Sequence, residues 1–394
     1  MRILFTCTVG LGHFHPLVPI ARAGMQAGHD VAFATPASFV PTVERSGFRA
    51  FPAGMAELPA QMFPELHGLS GRAATEIMWL RVRPAQASAM VTDLLGIIDT
   101  WRPDLIVRER AEYGGCIAAE RRGLPYASVE INAVQMGQDQ RALLSDGLAP
   151  VLAEFGLPPD PDLQIQERHL VLSPFPPSYR GSAPDGAASP RLPLRPTPFD
   201  QSGDERLPAW IGSLPAQATV YLTLGTSSLI NTRPSVMRAF IDGLANEPLN
   251  LIVTVGRNNE PTDLGPGPSN VWIERYIPQT LLFPRCALVI CHAGSGTVMA
   301  ALVHGLPLVL VPIAADQPQN ARRCDALGLA TVLDVDRLDP TVARSAVLNV
   351  LADPSYRQHA ETVRTEIEAL PGPEQAVTYL ERLAARQDLG LCHP

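Results

Sequence analysis

Cys286-Ala-Leu-Val-Ile-Cys291-His292-Ala293-Gly294-Ser295-Gly296-Thr297 is a short apolar run rich in β-branched residues that passes through glycine into a helix-compatible stretch, Thr297 to His304, stopped by Gly305. The glycines therefore sit at a strand-to-helix turn, the repeating unit of a parallel α/β sheet. At such a turn the first helical N–H groups have no intrahelical partner and the helix dipole is positive, so a diphosphate can dock. His292 would add a donor. The same residues also make a tight turn with an N-cap and a core histidine, and the block alone leaves the two readings open. Downstream, Asp316-Gln317 stands in a loop before a helix, where capping is the ordinary role of an aspartate.

Working outward, the same alternation recurs on both sides. Near the N-terminus a strand at Ile3 to Cys7, a helix from Pro16 to Ala27 closed by Gly28, a strand at Val31 to Ala34 and a helix closed by Gly47 form a βαβ pattern. Further strands are expected at Leu105 to Val107 and Tyr126 to Val129. Between them Gly54 to Trp101 is helical in pattern, and its Met55, Met62, Phe63, Met78, Trp79 and Met90 suit an adaptable apolar pocket or ordinary core. From Ser173 to Pro215 proline, glycine and small polar residues dominate. A second alternation follows: strands at Val220 to Leu224, Leu251 to Val255, Val271 to Ile273, Ala287 to Ile290 and Leu308 to Val311, with helices near Val236 to Ala245 and Pro318 to Leu327. We expect an α/β protein of two domains, 1–195 and 217–394, joined by a linker at 196–216, with the last helix free to pack back on the first domain. Ligands of such sheets bind in the cleft at the strand ends.

Composition removes several function classes. The chain has 394 residues, a net charge of -8 and a hydrophobic fraction of 46%, which describe a globular protein without the basic footprint of a nucleic-acid or anionic-membrane binder. No apolar run is long enough to span a bilayer, and Met1-Arg2 runs directly into the first strand, so a cytoplasmic protein is expected. Six cysteines without paired spacing read as reduced thiols. All 31 basic residues are arginine, which excludes Schiff-base chemistry, a lysine base and a Walker-type phosphate lysine. A nicotinamide dehydrogenase is disfavoured, because His15 replaces the third glycine of its fingerprint and the second strand ends Ala34-Thr35-Pro36 without a ribose-binding acid. Asp160-Pro161-Asp162 reads as a solvated turn, and no metal is expected.

The ordered set of motifs resembles the bacterial, antibiotic-type members of glycosyltransferase family 1. Its pieces are Gly10-Leu-Gly12-His13-Phe-His15-Pro16, Pro103-Asp104-Leu-Ile-Val-Arg-Glu109, Leu224-Gly225-Thr226-Ser227, Tyr276-Ile277-Pro278-Gln279, His292 to Thr297 and Pro312-Ile-Ala-Ala-Asp316-Gln317-Pro-Gln-Asn320-Ala321. The resemblance covers nearly the whole chain and implies the GT-B fold: two facing Rossmann-like domains with parallel sheets and an interdomain cleft. It implies an acceptor in the first domain and a nucleotide sugar in the second.

Carried over residue by residue, His13 matches the general base that deprotonates the acceptor and Glu109 the acid that orients it. An imidazole near pKa 6.5 can take a hydroxyl proton at neutral pH, and a carboxylate on its other nitrogen fixes the tautomer. His15 and Glu112 are the rivals for these roles. The resemblance places His292, Ala293, Gly294, Ser295, Gly296 and Thr297 at the diphosphate, Asp316 and Gln317 at donor-sugar hydroxyls, Tyr276 as a base-stacking ring, and Thr226, Ser227, Ile277 and Gln279 around the nucleotide. Two departures stand out: Ala293 replaces the glycine of many relatives, and Ala300 replaces a ribose-binding glutamate, which leaves TDP and UDP both open. The expectation is a metal-independent, inverting glycosyltransferase moving a sugar, a deoxysugar by preference, from a TDP or UDP donor to a hydrophobic natural-product acceptor. It needs no cofactor beyond that co-substrate, and a homodimer is left open. The competing readings are a nucleotide-sugar epimerase on the same fold and a non-catalytic partner of another glycosyltransferase.

Overall fold

A computed structural model describes residues 1–55, 71–133, 136–181, 190–200, 205–225 and 233–391. Thirteen strands among them form two wholly parallel sheets. The first holds β1 (Arg2–Thr6), β2 (Asp30–Thr35), β3 (Arg49–Pro52), β4 (Leu105–Glu109), β5 (Tyr126–Val129), β6 (Leu170–Ser173) and β7 (Arg191–Pro193), in the order β3-β2-β1-β4-β5-β6-β7. The second holds β8 (Ala218–Thr223), β9 (Leu249–Thr254), β10 (Val271–Glu274), β11 (Leu288–Cys291), β12 (Leu308–Leu310) and β13 (Ala330–Val332), in the order β10-β9-β8-β11-β12-β13. Both are covered by helices on both faces, which is why strands such as Leu288–Cys291 and Leu249–Thr254 are buried along their full length and apolar apart from Asn250 and Thr254.

Strand order reverses direction at one place in each sheet, between β1 and β4 in the first and between β8 and β11 in the second. The chains leaving neighbouring strands there turn to opposite faces and open a crevice at the carboxyl ends. The His13 motif follows β1 and Glu109 ends β4; Gly225 follows β8 and the His292 block follows β11. The topology alone therefore gathers these four motifs at two switch points, while the Tyr276 and Asp316 motifs follow β10 and β12.

Short strands escaped the sequence pattern. β3, β6 and β13 have four residues or fewer, and β7 is Arg-Leu-Pro inside the proline-rich stretch, an edge position where a missing N–H is tolerated. The segment after it docks on the second sheet: Trp210 stacks on Trp272 at 5.7 Å and donates to Glu274 at 3.1 Å, while the Asp200 carboxylate accepts from the Thr280 amide at 3.0 Å. The last helix, Pro373–Ala384, buries Ala376, Leu380 and Leu383 in the same apolar cluster as Ile3, Phe5 and Val18 of the first sheet. Among the described residues no helix is long and apolar enough to cross a membrane.

Candidate active site

β4 is buried at every position although it carries Arg108 and Glu109. Charges in such a place need full partnering. Arg108 donates to the carbonyls of Glu112 (2.6 Å), Gln166 (3.1 Å) and Arg110 (2.6 Å) and to Ser128 Oγ (2.8 Å). Glu109 accepts from Thr8 Oγ1 at 3.0 Å and the Ala111 amide at 2.6 Å, and its Oε1 meets His13 Nδ1 at 2.9 Å. Burial alone would push the Glu109 carboxyl up, but His13, the Ala111 amide and Arg108 together outweigh it and hold the group down at about 2. It is an anion at any working pH, so His13 Nδ1 carries the proton and Nε2 is left as the basic atom.

His13 sits in the short helix Leu11–Phe14, whose N-cap Gly10 has φ +135°, a backbone conformation that suits glycine. Its side chain is 28% exposed and lines a cavity of about 180 Å³ together with Val9, Met55, Arg83, Met90 and Tyr113. The rivals are arranged for other tasks. Glu112 accepts from Thr6 Oγ1 and the Gly114 amide at 2.5 Å each and from the Gly115 amide, so it holds the start of the Gly114–Arg122 helix. His15 packs edge-on against Phe199 at 5.2 Å, and burial, then Arg257, lowers its pKa to about 4.

At the second switch point His292 is enclosed by two glycines. A Cβ on Gly225 would lie 2.5 Å from its Cε1 and one on Gly294 2.4 Å from its Nε2, so both positions must lack a side chain for the ring to fit. Burial keeps the imidazole neutral by lowering its pKa to about 4, and its Nδ1 is buried without a partner among the described residues. Gly294 caps the helix Ser295–Val303, whose first amides point out of the helix end beside that ring. A buried unsatisfied nitrogen next to free helix N–H groups fits an anionic ligand. Gly296 is exposed, and a Cβ there would meet nothing within 4 Å.

Asp316 occupies the N-cap position of the helix Gln317–Ala326, yet its side chain makes no cap bond. Its Oδ2 accepts instead from Ser295 Oγ at 3.0 Å and from Asn320 Nδ2 at 2.9 Å. Asn320, fully buried, also donates to the Ala293 carbonyl and to Ser295 Oγ, each at 3.0 Å. Asn320 is thus the bolt between the glycine turn and the Asp316 loop, a role that sequence reading missed. Ala293 has φ +66°, the left-handed region in which glycine is at no disadvantage, which explains the glycine that the resemblance led us to expect there.

Other expected contacts are not free in the way the motif suggested. Gln317 is 2% exposed and its Oε1 accepts from the Ile313 and Ala314 amides at 2.8 and 2.9 Å, so that oxygen shapes the loop. The Tyr276 ring carries the Arg257 guanidinium at 3.7 Å and its hydroxyl donates to the Asp200 carbonyl, so that ring face is closed to a base. Ile277 and Ala300 lie in the core, and Gln279 Nε2 reaches Thr297 Oγ1 at 3.4 Å. Thr226 and Ser227 fall outside the described residues, as do Met62 and Phe63.

The depressed histidines give a stability prediction. The unfolded chain takes up protons below about pH 6.5 that the native His292 refuses until about pH 4. Stability is therefore full above that window and declines as pH falls through it, by on the order of 3 kcal/mol for this one group. Tm measured between pH 7 and 4.5 should drop less for His292→Gln than for the native chain; equal slopes would refute a buried neutral imidazole.

The chain is similar to known proteins along nearly its whole length. The family model described as erythromycin biosynthesis protein CIII-like, C-terminal domain, matches residues 238–383. The chain is 30% identical over 397 residues to the L-demethylnoviosyl transferase of Streptomyces niveus, covering 98% of each protein. It is 26% identical over 442 residues to the aclacinomycin-T 2-deoxy-L-fucose transferase of Streptomyces galilaeus, covering 99% of this chain and 98% of that one. Among solved structures it is similar to the glycosyltransferase VinC in complex with DTDP, with a TM-score of 0.80, 27% identity and 98% and 100% of the two chains covered. With two parallel sheets, paired switch points and relatives matched from end to end, this chain belongs to the bacterial natural-product glycosyltransferases of the GT-B fold.

Proposed function

We propose that the enzyme transfers a deoxysugar from a TDP donor to an apolar hydroxylated acceptor, with inversion at the anomeric carbon. The observation that carries the reading is the His13–Glu109 pair at 2.9 Å on the wall of a cavity at the first switch point. Val9, Met55 and Met90 give that cavity the apolar lining of a hydrophobic aglycone. The deoxysugar and the TDP follow the names of the transferase from Streptomyces galilaeus and of the VinC complex.

In this mechanism the acceptor hydroxyl gives its proton to His13 Nε2 as its oxygen attacks the anomeric carbon from the side opposite the diphosphate. The bond from that carbon to the diphosphate oxygen breaks, and TDP leaves carrying the electron pair. Glu109 keeps the imidazole in the reactive tautomer and stabilises the imidazolium. The first amides of Ser295–Val303 and the unpartnered side of His292 receive the charge that grows on the leaving group. Asp316, anchored through Oδ2, offers its second oxygen to a sugar hydroxyl.

Transfer is tested by incubating the purified protein with TDP- and UDP-sugars and aromatic aglycones, with mass detection of product. TDP-dependent product is expected. Free nucleotide formed without an aglycone would favour the epimerase reading, and a protein inert with every pair would favour a non-catalytic partner.

Two further outcomes follow. Activity should survive excess EDTA, because helix amides supply the positive potential at the leaving group; loss on chelation with recovery on adding magnesium or manganese would refute this. Asp316→Asn should lower kcat/KM for the nucleotide sugar by about 10- to 100-fold, the range for losing one bond to a charged group, while TDP affinity stays within about twofold. Unchanged kinetics would return Asp316 to a structural role.

A further inference from the structure

The cavity beside His13 has one cationic wall that the transfer mechanism leaves unused. Arg83 lines it with Tyr113, Gln86 and Met90. Its Nε is buried without a partner, and its single described bond runs from Nη1 to the neutral Gln86 Oε1 at 3.2 Å. Among the described residues no carboxylate pairs with it. The two acids nearby are committed elsewhere, Glu109 to His13 and Glu112 to Thr6 and the Gly114 and Gly115 amides.

The placement of Arg83 is built into the backbone. It opens the helix Arg83–Trp101 directly after a π-helical turn, Met78–Val82, a deviation that is rare and concentrates at functional sites. That turn is pinned by Gly147, where a Cβ would stand 2.4 Å from the Trp79 carbonyl and 2.9 Å from Pro84 Cγ. A guanidinium half-buried without its counter-charge is costly in a free site and suits one that a bound anion completes.

We propose that the acceptor bears, besides the hydroxyl that takes the sugar, an acidic oxygen, a carboxylate or an ionised phenol, which Arg83 binds. The inference rests on the transferase reading for the identity of the cavity as the acceptor site. Arg83 then fixes the acceptor so that its reacting hydroxyl faces His13, and it selects acidic aglycones over neutral ones of the same shape.

The test is a fluorescence titration of 6-hydroxy-2-naphthoate and of its methyl ester against the full-length protein with TDP bound. The native chain should bind the acid at least about tenfold more tightly than the ester, as a charge-assisted guanidinium contact implies. Arg83→Met should bind both alike, Arg83→Lys should recover part of the preference, and TDP affinity should be the same in all three. An ester bound as well as the acid by the native chain, or a preference that survives in Arg83→Met, overturns the proposal. Failure of the transferase reading is read separately, as absence of turnover with any sugar donor while the binding preference persists.

Discussion

His13→Ala is expected to lower turnover on a hydroxyl acceptor by about 10²- to 10⁴-fold, the usual contribution of a general base, and to leave TDP affinity unchanged. The proposed base and the proposed diphosphate seat stand on different sheets, one after β1 and the other after β11, so damage to the first need not reach the second. His13 is 28% exposed, but its one described side-chain bond is to the buried Glu109, so the substitution leaves that carboxylate short of a partner and Tm is measured beside activity to separate lost stability from lost chemistry. Steady-state kinetics beside calorimetry with TDP separates the two halves. A variant that keeps more than about a tenth of native turnover would show that another group takes the proton. His15 is a poor candidate to inherit the role, wedged against Phe199 and depressed to about 4 by burial.

Gly296→Val addresses the other half of the site and is expected to weaken TDP binding by more than about tenfold with little change in Tm. Nothing lies within 4 Å of a Cβ at this position, so the fold has room for the side chain. A helical Cβ tilts toward the N-terminus, which sets the new methyl groups over the amides proposed to hold the diphosphate. Steric exclusion thus falls on the ligand and not on the core. Calorimetric TDP affinity equal to that of the native chain would place the diphosphate away from this helix end.

What the sequence made legible was chemistry carried by contiguous motifs. The run from Cys286 to Thr297 gave a strand, a turn and a helix because each signal is local: an apolar β-branched run, a glycine without Cβ, and a stretch without helix breakers. The His13–Glu109 pair was legible through the ordered motifs, and the fold brings its members together across adjacent strands β1 and β4. What stayed hidden depends on contacts between distant segments. Asn320 reads as a polar helix residue until the fold sets it against the Ala293 carbonyl 27 residues away and the Ser295 hydroxyl 25 residues away. Arg83 looks like one arginine among many, and only the π-turn and the close approach of Gly147 aim it at the cavity. The surroundings of Tyr276 were hidden in the same way: its type suits base stacking, and only the fold shows that Arg257, from the loop after β9, lies over one face of the ring.

The Ala293 departure has a modest energetic meaning. A left-handed alanine costs on the order of 1 kcal/mol relative to glycine, and the buried carbonyl bonded to Asn320 holds it in place. The turn is therefore kept by its hydrogen bonds and not by backbone preference, which gives Asn320 the task of holding Ala293 there.

The proposed mechanism is a single displacement in which His13 activates the acceptor and the diphosphate leaves from the opposite side. Its most direct test is the anomeric configuration of the product formed from a TDP-sugar of known configuration, read from NMR coupling constants. An inverted anomeric centre is expected. A product that retains the donor's configuration would contradict it.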